Sequence, residues 1–402
     1  MTRATRHYVL AAGGTGGHLL PAFALAQELD SRGHRVALIT DARGAQIPGK
    51  PDALAAHVLP AGRLGSGRFK GGPLAWFRAI RAILAGRRQA LKLFATFQPS
   101  AVVGFGGYPA FPALIAARSA GVPTLVHEQN AVLGRVNRLL AGRVDAIATA
   151  YARIDRLAPA LLDKVHLVGN PVRPEVLALR DDPFPPFTAD GPLRLLVTGG
   201  SQGASVLSQV VPEGLALLPA DLRARLQVTQ QCRAEDIEAV RTRYAAEGIA
   251  AELATYFEDM AGLLAATHLF IGRAGASTIA ELTVAGRPSL LVPLPIATDD
   301  HQAANARELA DAGGAISIRQ PAFTPPELAR QIEDLVRDPE ALAASAHAAW
   351  NCGLPHAVRD LADLVESCGG APLMDVVRVP SGPAVVAGGT PVVASGTVRT
   401  RA

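Results

Sequence analysis

The sequence predicts an α/β protein of two doubly wound domains, each with a parallel sheet covered by helices on both faces. Short apolar runs alternate with helical patterns along most of the chain, which is typical of strands joined by crossover helices. The segments LAAGGTGGH, from Leu10, and LVTGGSQGA, from Leu196, open the two halves alike with a strand and a glycine loop. Residues 181–192 between them are rich in proline and aspartate and predict a linker.

These features divide the chain into a first domain at residues 1–175 and a second domain at residues 176–350. A helix within residues 351–368 is expected to pack back on the first domain. Residues 369–402 are rich in glycine, proline, valine and threonine without periodicity, so a disordered tail is predicted.

The individual elements follow from hydrophobic periodicity and from stop signals. The helix after the first glycine loop stops at Gly33, and a helix of the second domain stops at Gly286, before Pro288. The predicted strands span residues 7–11, 35–40, 101–105, 124–127, 144–148, 193–198, 268–272 and 289–292. The predicted helices span residues 20–31, 73–96, 109–119, 132–140, 204–218 and 278–285. Two further helices are predicted, one that begins at Gln302 and one that ends at Ser367.

Composition limits the classes of function. Of the 402 residues, 49% are hydrophobic, and the net charge of +4 is too small an excess to indicate nucleic-acid binding. An anionic substrate or an anionic membrane surface suits this charge better. The three cysteines have no metal-ligand spacing and favour a reducing cytoplasm. The longest uncharged run, residues 93–117, is interrupted by prolines and glycines, so no membrane-spanning helix is expected.

The turn after the predicted strand 268–272 is the most informative stretch. Small and turn-forming residues run from Arg273 to Ser277 and lead into a helix, so free backbone N–H groups and the positive helix end meet there. This pattern predicts an anion site, most often for phosphate. Glu281, one helical turn further on, could accept hydrogen bonds from both hydroxyls of a ribose. An ordinary βαβ unit with a small-residue turn explains the pattern equally well.

The first glycine loop is a second candidate. Gly13, Gly14, Gly16 and Gly17 remove Cβ atoms where a ligand would approach the backbone, and His18 follows as a candidate general base. The glycine spacing does not fit G-x-G-x-x-G, which argues against a nicotinamide site. For His18, the alternative is a residue at the start of a helix with no chemistry.

Polar residues also end a buried strand. His127, Glu128, Gln129 and Asn130 stand at the carboxyl end of the predicted strand 124–127, where open α/β sheets bind ligands. A buried turn network would use the same residues. Arg173 lies at the predicted hinge, where it could clamp a diphosphate when the domains close or could be a surface charge.

Two further positions belong to the second domain. Ser201, in the second glycine loop, could hold phosphate together with the loop amides. Gln302 begins a helix beside two aspartates and could contact sugar hydroxyls. The alternative there is helix capping by Asp299 or Asp300.

Every charge between Arg63 and Lys92 is basic, and Trp76, Phe77 and aliphatic residues are interleaved with these charges. A helix of this kind can lie on an anionic membrane with its aromatic residues inserted. An ordinary amphipathic helix is the equally weighted alternative.

Taken in order, the motifs resemble one family. GGTGGH, GFGGYPAFP, HEQN, VGNPVR, GGSQGA, GRAGASTIAE and the DDHQ-containing stretch are similar to those of MurG, the bacterial UDP-N-acetylglucosamine transferases of peptidoglycan synthesis. The resemblance implies the GT-B glycosyltransferase fold, in which two Rossmann-like domains face a cleft. It implies inverting transfer of GlcNAc from UDP-GlcNAc to the muramyl 4-hydroxyl of lipid I, which gives lipid II.

The resemblance also implies a cellular setting. The protein is expected to attach peripherally to the cytoplasmic face of the inner membrane and to act in cell shape and division, where other cell-wall proteins are candidate partners.

No Asp-x-Asp pair follows a strand, so neither a metal ion nor another cofactor is expected.

Site residues are implied at the positions that match the family motifs. His18 is the first candidate for the base that takes the acceptor proton, and Glu128 is the second. The family often has a glutamine pair where this chain has His301 and Gln302. The residues implied for UDP-GlcNAc are Thr15, Gly16, Gly17, Asn130, Arg173, Ser201, Phe257, Ala276, Ser277, Thr278, Ile279, Ala280, Glu281 and Gln302.

Two other functions compete with this interpretation. A UDP-GlcNAc 2-epimerase would use the same fold without a lipid acceptor, and the basic segment argues against it. A non-catalytic nucleotide-sugar-binding subunit would need no base, and the presence of His18 and Glu128 disfavours it.

Overall fold

The computed structural model describes residues 4–59, 72–188, 190–200 and 203–370, with the backbone alone for residues 72–76. Within these residues the chain forms two parallel sheets, each flanked by helices. The predicted α/β class with two doubly wound domains is confirmed.

The first sheet is built mainly from buried, largely apolar strands and carries helices on both faces. Its described strands are β1 His7–Ala12, β2 Arg35–Thr40, β3 Ala55–Val58, β4 Ala101–Gly106, β5 Thr124–Glu128, β6 Ala146–Thr149 and β7 Val165–Leu167. They pair in parallel in the order β3-β2-β1-β4-β5-β6-β7. The helices are α1 Gly16–Ser31, α2 Gly72–Phe97, α3 Ala110–Ser119 and α4 Arg135–Leu140. The strand order reverses between β1 and β4, and ligands of open α/β sheets bind at the carboxyl ends beside such a switch point.

The second sheet repeats this arrangement. Its described strands are β8 Leu193–Thr198, β9 Leu226–Gln231, β10 Ala250–Ala254, β11 Leu269–Gly272, β12 Ser289–Leu291 and β13 Ala315–Ser317. They pair in parallel in the order β10-β9-β8-β11-β12-β13, so this switch point lies between β8 and β11. The helices are α5 Pro174–Leu177, α6 Ser205–Ala216, α7 Ala220–Arg223, α8 Ile237–Ala246, α9 Met260–Ala266, α10 Ala276–Val284, α11 His301–Asp311, α12 Pro325–Val336, α13 Pro339–Asn351 and α14 Ala357–Cys368.

One predicted helix begins later than the sequence indicates. The segment expected as helix 132–140 becomes helical only at Arg135. The N–H of Leu133 donates to the Asp155 carbonyl at 3.0 Å, and the N–H of Asp155 donates to the Ala131 carbonyl at 2.7 Å. These bonds hold the residues after β5 in an extended conformation, so the apolar run there is a bridge rather than a first helical turn.

The last helix, α14, packs against the first domain. Leu361 and Val365 are fully buried in the core that contains Tyr8 and Leu10 of β1. At the end of the helix, Glu366 lies 2.7 Å from His34 in a buried contact. The chain therefore crosses from the second domain back to the first. None of the helices in the described ranges combines the length and the apolarity needed to span a bilayer.

Candidate active site between the two domains

The carboxyl ends of the two sheets are joined through the side chain of Asn305 in α11, which is fully buried. Its oxygen accepts the N–H of Ala131 at 2.8 Å. Its amide nitrogen donates to Asn130 Oδ1 at 3.1 Å and to the Ala274 carbonyl at 3.2 Å. Asn130 follows β5 and Ala274 follows β11, so Asn305 links the carboxyl ends of the two sheets.

The first glycine loop packs backbone against backbone on the end of β4. A Cβ atom added to Gly13 would lie 2.4 Å from Pro109 Cγ, and one added to Gly107 would lie 2.5 Å from the Gly13 carbonyl oxygen. Gly107 also has a φ of 76°, a left-handed conformation that favours glycine. This close approach places the start of α1 beside the loop after β4.

Helix α1 begins immediately after Thr15. The first turn of a helix leaves N–H groups without intrahelical partners, and those of Gly16 and Gly17 lie at this positive end. The Asp41 carboxylate accepts the N–H of Gly14 at 3.3 Å and that of Gly44 at 2.7 Å, which holds the loop against the end of β2. The predicted residues Thr15, Gly16 and Gly17 therefore stand together at one wall of the cleft.

His18 is half-buried in the first turn of α1 and contacts the residues after β5. Its Nδ1 lies 3.1 Å from Gln129 Oε1. Gln129 Nε2 lies 3.0 Å from His127 Nδ1, and His127 Nε2 lies 2.9 Å from the Gly169 carbonyl oxygen. Complete burial lowers the pKa of His127 to about 4, so its ring is neutral at neutral pH.

Glu128 occupies a structural position. It is 2% exposed, and its carboxylate accepts the N–H groups of Asn130 at 3.1 Å and Gly134 at 2.8 Å and the amide of Asn137 at 2.9 Å. Both oxygens are thus engaged by donors that shape the entry to α4. The geometry favours the turn network for Glu128 over the role of a second candidate base.

In the second domain, the predicted anion turn leads into α10, which begins at Ala276 after Gly275. Helix α10 has nine residues, and its first N–H groups are free of intrahelical partners, as the helix terminus requires. Ser277 and Thr278 are half-buried there. Ile279 is 4% exposed and belongs to a hydrophobic core, so its side chain packs inward and only its backbone can serve the site.

Arg173 and Glu281 form an ion pair, with Arg173 Nε 2.8 Å from Glu281 Oε1. Burial acts to lower the pKa of Arg173, but the hydrogen bond that Arg173 donates to Glu281 leaves that pKa above its ordinary value. The hinge arginine and the carboxylate of α10 therefore lie within reach of one ligand. Arg173, the predicted diphosphate clamp, and Glu281, the predicted ribose contact, thus bind each other in this structure.

Gln302 lies in the first turn of α11, where its Oε1 accepts the N–H of Leu294 at 3.0 Å. Asp299 and Asp300 precede the helix, both with a φ of 55°. Asp299 faces the first domain, 3.4 Å from Arg138, and Asp300 lies 2.7 Å from Arg319. Neither carboxylate caps α11. The two aspartates instead form ion pairs with arginines, and these pairs hold the loop that precedes Gln302.

Three further predicted residues are Phe257, Ser201 and Ala280. Phe257 is half-buried in the loop between β10 and α9, close to the carboxyl edge of the second sheet. Ser201 lies outside the described residues. Ala280 is half-buried beside the hydrophobic core residue Ile279. Among the residues that the structure describes, no group of three or more histidine, cysteine, aspartate or glutamate side chains could hold a metal ion.

Sequence reasoning assigned no role to Asn305 or to Gln129. Asn305 carries no local signal, because Asn130 and Ala131 lie more than a hundred residues away in the first domain and its third partner, Ala274, lies 31 residues away. Gln129 was included only as one of four polar residues after a strand. Its direct contact with His18 depends on how β5 and α1 sit side by side.

Comparison with known proteins identifies the family. The model of the glycosyltransferase family 28 N-terminal domain matches residues 8–149, and that of the C-terminal domain matches residues 194–365. A Novosphingobium aromaticivorans protein is 71% identical over 95% of this chain and 97% of its own length. A Caulobacter vibrioides protein is 49% identical over 89% of this chain and 98% of its own length.

Both relatives are named UDP-N-acetylglucosamine–N-acetylmuramyl-(pentapeptide) pyrophosphoryl-undecaprenol N-acetylglucosamine transferase. Among solved structures, MurG of Acinetobacter baumannii matches with a TM-score of 0.72 and 30% identity, over 90% of this chain and 99% of that one. A kitacinnamycin glycotransferase, at 16% identity and a TM-score of 0.63, shares the fold. The chain therefore belongs to glycosyltransferase family 28, has the GT-B fold, and is a member of the MurG transferases.

Proposed function

We propose that this protein transfers N-acetylglucosamine from UDP-GlcNAc to the muramyl 4-hydroxyl of undecaprenyl-diphospho-MurNAc-pentapeptide, lipid I. One observation supports this most directly: His18 contacts Gln129, and the next residue, Asn130, is joined through Asn305 to Ala274, two residues before the α10 terminus. A base and an anion site on opposite walls are what a transfer between a hydroxyl and a diphosphate sugar requires. The near full-length relatives bear names with the same donor and acceptor.

In this proposal the donor lies against the second domain. The diphosphate binds the N–H groups of Ala276, Ser277 and Thr278, where the helix end favours negative charge. Glu281 accepts hydrogen bonds from the ribose hydroxyls. Arg173 turns from Glu281 toward the diphosphate.

The sugar and the base complete the proposed site. Asn130 and Gln302 contact the hydroxyls of GlcNAc, while the backbone of Phe257 contacts uracil and Ser201 assists the diphosphate. Thr15, Gly16 and Gly17 add donor contacts from the first domain, and the acceptor lies against that domain near His18.

The proposed reaction is a single inverting displacement. A lone pair of the acceptor 4-oxygen attacks the anomeric carbon of GlcNAc, and the bond from that carbon to the β-phosphate oxygen breaks with its electron pair on UDP. The proton of the 4-hydroxyl passes to His18. The α10 terminus and Arg173 stabilise the charge that develops on UDP.

Transfer of radiolabelled GlcNAc to a lipid I analogue tests this proposal, with other UDP-sugars as controls. We expect a β-1,4-linked disaccharide lipid from UDP-GlcNAc and little product from the other donors. Incubation with UDP-GlcNAc alone separates the epimerase alternative, since an epimerase would make UDP-ManNAc without an acceptor. No turnover in either assay, with UDP still bound, would favour a non-catalytic binding subunit.

We also propose that α2 docks on the anionic cytoplasmic face of the inner membrane. Phe77, Arg81, Leu84, Arg88 and Lys92 are all exposed and recur at helical spacing, which gives one stripe of apolar and basic side chains. Helix α2 carries no acidic residue, so the whole stripe attracts anionic lipid. The part of the basic segment before Gly72 lies outside the described residues.

Vesicle sedimentation tests the membrane proposal. Changing Trp76 and Phe77 to serine should reduce binding to anionic vesicles while UDP-GlcNAc binding stays unchanged, because neither residue is among the proposed donor contacts. Leu217 is 57% exposed on the second domain, so Leu217→Ser is a matched control that should sediment like the wild type. Equal sedimentation of the double variant and the wild type would show that this face does not dock.

A further inference from the structure

His18 is the last member of a chain of hydrogen bonds that begins at the carbonyl of Gly169. The orientation of the Gln129 amide within this chain is determined by its neighbours. Gln129 Nε2 lies 3.1 Å from the Phe105 carbonyl oxygen and 3.2 Å from the His127 carbonyl oxygen. Carbonyl oxygens only accept hydrogen bonds, so the group beside them must be the NH₂ group, and the atom that faces His18 must be the amide oxygen.

The proton on His127 is determined in the same way. Its Nε2 lies 2.9 Å from the Gly169 carbonyl oxygen and must therefore carry the proton and donate. Its Nδ1 lies 3.0 Å from the NH₂ group of Gln129 and must accept. The ring is then neutral, in agreement with the lowering of its pKa by burial. A charged His127 would place two donors face to face.

These assignments also determine which ring nitrogen of His18 carries the proton. Because the Gln129 oxygen can only accept, His18 Nδ1 at 3.1 Å must donate to it and carries the proton in the neutral ring. The free lone pair of the neutral ring is then on Nε2, for which the described residues offer no hydrogen-bond partner. The ring lies over Gly106, where an added Cβ would be 3.0 Å from His18 Cε1, so the glycine leaves room for the imidazole.

We propose that Gln129 is a positioning residue for the transfer reaction: it holds His18 in the Nδ1–H tautomer and so makes Nε2 the nitrogen that accepts the acceptor proton. His127 acts one step further back by orienting the Gln129 amide. This inference rests on the proposed function of His18 as the base. A base held in the other tautomer would present an N–H to the acceptor hydroxyl and could not take its proton.

The two carboxylates near this chain of hydrogen bonds are bonded to other groups. The Glu128 carboxylate is engaged by Asn130, Gly134 and Asn137, and that of Asp41 by the N–H groups of Gly14 and Gly44. Gln129 is therefore the side chain that fixes the tautomer.

The first experiment needs no substitution in the chain of hydrogen bonds. Nitrogen-15 spectra of histidine-labelled protein at alkaline pH distinguish a protonated ring nitrogen from an unprotonated one, and a His18→Gln variant identifies the His18 signals. We expect a protonated Nδ1 and an unprotonated Nε2. A neutral His18 with its proton on Nε2 would overturn the proposal, whether or not His18 is the base.

The second experiment measures steady-state kinetics with the lipid I analogue. Gln129→Met keeps the size of the side chain but can neither accept from His18 nor orient its ring. We expect kcat to fall about 10- to 100-fold while KM for UDP-GlcNAc stays within about twofold. Gln27→Met, at an exposed position on the same helix as His18, is the matched control and should leave both constants unchanged.

The outcomes separate this inference from the proposed function. If His18→Ala abolishes turnover but Gln129→Met retains wild-type kcat, the base assignment stands and the role of Gln129 is wrong. If His18→Ala retains turnover, His18 is not the base, and both the assignment and the inference are wrong. A fall in kcat for Gln129→Met together with loss of the Nδ1–H signature supports the inference.

Discussion

Replacing Glu281 with alanine should weaken the binding of UDP, and the structure indicates the size of the effect. The carboxylate is 16% exposed and lies one turn into α10, where the proposal places the ribose hydroxyls. Loss of a hydrogen bond to a charged group costs about 1.5–3 kcal/mol.

The ion pair with Arg173 reduces this loss. The side chain of Arg173 is 44% exposed, so solvent screens the pair, and its stabilising contribution is about 0–1 kcal/mol. Binding of UDP to the wild type requires Arg173 to leave Glu281, whereas in the alanine variant this pair is already absent. The net loss is therefore about 0.5–3 kcal/mol, or roughly a 2- to 160-fold rise in Kd.

Titration calorimetry with UDP measures this change directly. Glu281→Gln keeps an acceptor of the same size and should lose less affinity than Glu281→Ala. Glu238→Ala, whose side chain is 78% exposed on α8, is the control and should bind like the wild type. The double variant at Glu281 and Arg173 should lose less than the sum of the single losses, because the two residues are in contact. An unchanged Kd for Glu281→Ala would remove this residue from the site, and additive losses would refute the coupling.

Three further predictions concern the cleft and the first domain. His18→Ala should lower kcat by about 10²- to 10⁴-fold with little change in donor affinity, and near wild-type turnover would end the base assignment. Asn305→Leu leaves the buried N–H of Ala131 without its partner, at a cost of about 1–3 kcal/mol, so we expect a lower Tm and a higher KM for UDP-GlcNAc; unchanged values of both would contradict the bridging role. His127 has a pKa near 6.5 in the unfolded protein but near 4 in the folded protein, so the unfolded state binds the proton more readily between these values. Tm should therefore fall as pH falls from 6.5 to 4, and His127 should not affect Tm above pH 6.5. An equal slope of Tm against pH in a His127→Gln variant would contradict this.

Much of the fold could be predicted because buried parallel strands leave a strong signal. The predicted strands 35–40 and 193–198 have the bounds of β2 and β8, and both are apolar runs bounded by polar or glycine residues. Strands such as β3 leave no such signal. All four residues of β3 are exposed at the edge of the sheet, so neither an apolar run nor an alternation marks it.

The site was predictable as a set of positions but not as a set of contacts. The sequence places Glu128, Gln129 and Asn130 together after β5, yet their side chains diverge. Glu128 holds the entry to α4, Gln129 reaches His18 in α1, and Asn130 meets Asn305 across the cleft. These directions follow from the packing of three separate elements on the end of one strand, and no local pattern encodes that packing.

The same contacts imply that donor binding is coupled to the approach of the two domains. Asn130 of the first domain is held by Asn305 of the second, Arg173 at the hinge is paired with Glu281, and Asp299 beside Gln302 lies within 3.5 Å of an arginine from the first domain. Asn130, Arg173 and Glu281 are thus each positioned by a partner from the other side of the cleft or from the hinge. A substitution that separates the domains should therefore change the affinity for UDP-GlcNAc even when it touches no atom of the donor, since Asn130 and Arg173 would no longer reach a donor held by the second domain.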